Sequence, residues 1–180
     1  MSRIHNFSRS IRVISQWLFY VVLVGTITSV ILLFAGPKLG SAAEVMNIHV
    51  LEHSMPVSAL TLDISLALAM TVALTFGIFF FGIHHFIKLF KLYEKGKIFT
   101  AENVFRLKML GLALIIYFPV SLITRGLKLY VLLRLDKEFS IRLDHFFINF
   151  DIFIIGLAVV LISWVMDEAR KMNDEMEMVI

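Results

Sequence analysis

Four apolar stretches constrain this chain more than anything else in it. Val13–Ala35 carries no charge and stops at Gly36-Pro37, where a helix is expected to end. Ile64 to about Phe90 is charge-free until Lys88. Met109–Thr124 is uncharged and then meets Arg125 and Lys128; Ile152–Met166 is clean, with Asp151 just before it. A bilayer core of about 30 Å takes roughly 20 helical residues at 1.5 Å each. The 180 residues are 59% hydrophobic, against roughly 45–50% in a soluble domain, more than a core of that size hides. The sequence therefore predicts an all-α, polytopic membrane protein with a single domain over 1–180. Its four transmembrane helices are expected at about 13–35, 64–90, 108–131 and 146–166.

Lys and Arg in the flanks tend to stay cytoplasmic. The N-terminal tail, the middle loop and the C-terminal tail together hold eleven of them, and the two other loops hold six. Both termini are thus expected in the cytoplasm. The first apolar run is too long for a cleavable signal, whose apolar region is about 7–15 residues, so it reads as a retained anchor. With no cysteine in the chain, disulfides, thiolate ligands and a Cys nucleophile are excluded.

His49, Glu52 and His53 spell His-x-x-Glu-His, a pattern found in one class of zinc peptidase. That chemistry needs both histidines on one face of a stable helix, with a third ligand from elsewhere. Here they lie between Gly36 and Asp63 with Pro56 close behind, and Glu44 is only a local third ligand. A solvated loop is expected, with His49 and His53 as weak metal candidates and no catalysis. Neither a Gly-x-Ser-x-Gly nor a Gly-rich phosphate loop is present, so no cofactor and no enzyme activity are expected. His84-His85 reads as interfacial packing.

The stretch from Lys88 to Gly111 is the most specific. Gly96 suits a left-handed helix end with lysines before it. Thr100 suits the next N-cap, Glu102 and Asn103 its first turn, and Phe99 a staple against Val104. A tight cytoplasmic hairpin is expected over 91–107. Its basic charge follows from membrane orientation and points to anionic headgroups rather than to direct nucleic-acid binding.

Gly96, Ile98, Phe99, Thr100, Glu102 and Asn103, followed by Leu107 and Gly111, resemble the central signature of a bacterial membrane family catalogued as domain-of-unknown-function family 2975. Gly156, Glu168, Glu175, Glu177 and Ile180 resemble its last motif. Ala169 and Val179 stand where that family commonly has glycine and threonine. The resemblance runs through all four spans in order. It implies a small bacterial inner-membrane protein without established activity, whose relatives are often encoded beside small helix-turn-helix regulators. It transfers no catalytic residue.

Residues 131–145 fit a strand and a helical face equally. Ala169, Met172, Met176 and Val179 fall at helical spacing, so the acidic tail, 167–180, is expected to extend the last helix along the membrane surface. Its carboxylates would be drawn to Lys91, Lys95 and Lys97. Counting inward from Met109 and Met166 puts Arg125 level with Asp151, and an ion pair is expected between them. The function expected is a non-catalytic sensory or regulatory module whose hairpin and tail meet a cytoplasmic partner. The alternatives are a small transporter or channel component using Arg125, Lys128 and Asp151, and, more distantly, a metal-dependent enzyme. Homo-oligomerisation is left open.

Overall fold

The computed structural model describes residues 2–39, 46–50, 53–97, 99–135 and 150–178. Glu44, Glu52, Ile98, residues 136–149, Val179 and Ile180 lie outside these. So do most of the ambiguous segment 131–145, the expected start of the fourth span and the last residues of the family's final motif.

Four long helices are present: α1 (Ser2–Ala35), α2 (Leu62–Glu94), α3 (Ala101–Arg134) and α4 (Phe150–Met178). All four are long and apolar enough to cross a membrane. Each runs past its expected span because polar turns continue the helix into the interface. Large apolar side chains remain exposed along them, including Trp17 at 70% and Trp164 at 60%. A helix that is apolar all round is at home in lipid, where its backbone groups are already paired internally.

The chain clusters into two compact units. The first holds Met1–Tyr20, Ile78–Phe118 and Asn149–Ile180. In it Phe19 packs edge-on against Phe80, ring centres 5.2 Å apart, and α3 and α4 meet backbone to backbone. The second holds Val21–Gly77 and Pro119–Ile148, and α3 passes through Pro119 without ending.

The second unit corrects the expectation of a solvated loop. Asn47–Val50 (β1) and His53–Pro56 (β2) pair antiparallel, with Ile48 opposite Met55, His49 opposite Ser54 and Val50 opposite His53. The Val57 N–H donates to the Met46 carbonyl, 2.8 Å, and extends the ladder. Alternation along the strands places Ile48, Val50 and Met55 on one face. Val50 and Met55 are 2% exposed and join a core with Leu33, Val57, Leu60, Ile64, Leu68, Val131 and Leu132. Burying such an apolar face is what holds two short strands together, since an isolated hairpin is marginal. Gly36 is required here, because a Cβ on it would run into Val57. The Ser65 hydroxyl donates to the Leu33 carbonyl at 2.8 Å, satisfying one of the last four carbonyls of α1, which have no donor in their own helix.

Candidate functional site

The α2–α3 connection closes as expected from its residues. Gly96 has φ +70°, the left-handed region where a Cβ is costly. The Gly96 N–H donates to the Tyr93 carbonyl and the Lys97 N–H to the Leu92 carbonyl, both at 3.0 Å. This double bond pattern is a Schellman motif. Thr100 then caps α3, its Oγ1 accepting from the Asn103 N–H at 3.3 Å. Glu102 pairs with Arg106 one turn on, 3.3 Å. The expected staple is different: Val104 is buried while Phe99 is 63% exposed. Lys91, Lys95 and Lys97 are exposed. The sequence did not announce that Asn103 is fully buried.

Behind the hairpin, within the same unit, lies a mixed cationic and aromatic cluster. His85 is buried, its ring 4.6 Å from Phe81 and 6.2 Å from Phe105. The Arg106 guanidinium stands 3.5 Å from its Nδ1. A guanidinium only donates, so a hydrogen bond across this contact has Nδ1 as its acceptor. His84, one residue earlier, is exposed. Arg12 of α1 meets Glu94 of α2 at 2.9 Å, with side-chain exposures of 24% and 18%. Neither partner was singled out from the sequence, because charges 82 residues apart carry no local pattern.

Gly111 and Gly156, one from each family motif, meet where α3 crosses α4. A Cβ on Gly111 would lie 2.7 Å from the Val160 side chain and 2.9 Å from the Val160 backbone nitrogen. On Gly156 it would lie 2.9 Å from both the Ile115 side chain and the Ile115 nitrogen. Small residues let membrane helices approach to backbone contact. Phe118 stacks beyond them on Phe150 and Phe153, at 5.9 and 5.6 Å.

Flanked by Phe150 and Phe153, Asp151 takes the level of Phe118 on α3. Arg125, seven residues further along α3, belongs to the other unit.

The tail charges are paired within α4, which runs unbroken to Met178. Arg170 holds Asp167 at 3.1 Å and Asp174 at 2.8 Å. Lys171 holds Asp167 at 3.3 Å and Glu168 at 3.4 Å. Glu175 is exposed.

In the second unit the Arg134 guanidinium meets Asp63 at 3.2 Å, and the Thr61 hydroxyl donates to the same carboxylate. Beside the strand pair is a half-open groove of about 350 Å³, lined by α1, β1, α2 and Lys128 of α3. His49 also lines it. His49 and His53 occupy successive rungs of a strand ladder, so the one-turn helical spacing that a zinc pair needs is absent. Among the described residues no group of three or more potential ligands is placed to hold a metal ion.

Four candidate spans, a capped interhelical turn and a glycine-mediated helix crossing define a multi-pass helical membrane protein. A model of the family described as protein of unknown function, DUF2975, matches residues 52–180, and the chain belongs to that family. The match takes in α2, α3 and α4 and leaves α1 outside it. No curated protein and no solved structure matches the chain.

Proposed function

We propose that the chain is a non-catalytic sensory or regulatory module of the bacterial inner membrane, with both termini and the α2–α3 turn in the cytoplasm. The excess of Lys and Arg on that side supports the orientation, and its lysines face anionic headgroups. One observation carries the reading: Phe99 is 63% exposed on a turn whose ends are both capped. The ring stands between two capped helix ends, and Lys91, Lys95 and Lys97 of the same connection are exposed as well. Aromatic side chains, Phe among them, are enriched in the cores of protein interfaces. The partner we assign is a small helix-turn-helix regulator, as the family resemblance implies.

The test is a photoreactive phenylalanine analogue at position 99, activated in native membranes. A crosslink to one small cytoplasmic regulator, lost on Lys95→Glu, is the expected result. Crosslinks to lipid alone would overturn the partner. The orientation has its own test, because the chain has no cysteine. Lys95→Cys should react with an impermeant maleimide only after the inner membrane is opened.

A further inference from the structure

We infer that the groove beside the strand pair binds a single-chain acidic amphiphile, its head on Lys128 and its chain along the apolar wall. The wall is built by Leu32 and Leu33 of α1, Ile48 and Val50 of β1, and Leu68 and Val72 of α2. Along α2 the lining runs from Leu68 to Phe76, roughly 12 Å of helix at 1.5 Å per residue.

Most hydroxyls at the groove do not compete for a ligand. Ser29 donates to the Gly25 carbonyl at 2.8 Å and Thr71 to the Ala67 carbonyl at 3.0 Å. Their protons are spent on their own helices, which leaves the wall apolar in effect. Lys128 is the one Lys or Arg in the lining, and no ion pair to it is present among the described residues. A cation held against hydrocarbon is costly unless a counter-charge reaches it, and an acidic headgroup supplies one.

The size suits one chain. At about 30 Å³ for a water-sized group, a groove of about 350 Å³ takes on the order of a dozen such groups, the bulk of one medium acyl chain. The volume also falls in the usual range for small-ligand sites, about 300–1,000 Å³, with apolar walls and few polar groups. This site is separate from the hairpin, so its occupancy is measured without reference to any protein partner.

The test uses the full chain in phosphatidylcholine nanodiscs, titrated with labelled dodecanoate. Saturable binding of one dodecanoate per chain is expected. Lys128→Gln should weaken it about tenfold and Lys128→Arg should retain it within about threefold. Val72→Trp, which fills the groove, should remove it with helical circular dichroism unchanged. The cationic analogue dodecyltrimethylammonium should not compete. The proposal is overturned if uptake is non-saturable, if Lys128→Gln binds as tightly as the parent chain, or if the cationic analogue displaces dodecanoate. It is equally overturned if phosphatidylglycerol nanodiscs abolish dodecanoate binding, since the groove would then belong to a two-chain lipid.

Discussion

Gly111 and Gly156 oppose each other across the α3–α4 crossing so closely that a Cβ on either would stand within 3.1 Å of the other's carbonyl oxygen. Replacing either by alanine forces the backbones apart, and overpacking of this kind costs about 1–3 kcal/mol. Each single variant should lower the midpoint of thermal unfolding in detergent. The double variant should lose less than the sum, because the first alanine already opens the crossing for the second. Full additivity would show that the two glycines do not share one contact.

Ser65→Ala tests the cap that α2 gives α1. The Leu33 carbonyl loses a buried donor, and a cost of about 1 kcal/mol is expected. Ser65→Thr, which keeps the hydroxyl, should recover part of it. Equal losses in both variants would assign the effect to packing instead.

The charge swap of Arg125 and Asp151 separates two accounts of membrane charges. If the ion pair expected from the sequence forms, Arg125→Asp and Asp151→Arg should each reduce folded abundance, and the double variant should recover it. Additive losses in the double variant would show that the two charges reach the interface independently.

His49→Ala with His53→Ala should leave stability within about 0.5 kcal/mol: His49 is exposed, and surface substitutions usually stay within that range. Retention of a stoichiometric zinc by the parent chain, lost in the double variant, would contradict this.

What was legible in the sequence follows from the range of each signal. Gly96 and Thr100 act on backbone groups within a few residues, so the caps of the α2–α3 turn were readable from one short window, whereas the Phe99 staple, which depends on side-chain packing, was not. The four spans were readable because bilayer thickness sets a minimum length. The strand pair was passed over, although Ile48, Val50, Met55 and Val57 alternate with more polar neighbours over short runs. A run of four residues is too brief for periodicity to stand out, and its burial depends on α1, α2 and α3. The glycine crossing and the Arg12–Glu94 pair join residues 45 and 82 apart. For these, residue type named the participants at most, and only packing named the partners.

The Ser65–Leu33 bond also has a timing. The acceptor is made first, and its donor follows 32 residues later. At roughly 5–20 residues per second of synthesis, the end of α1 waits roughly 2–6 s for the hydroxyl that completes it. During that interval the Leu33 carbonyl lacks the donor that Ser65 gives it in the folded chain. The end of α1 therefore gains this bond only as a pair with α2.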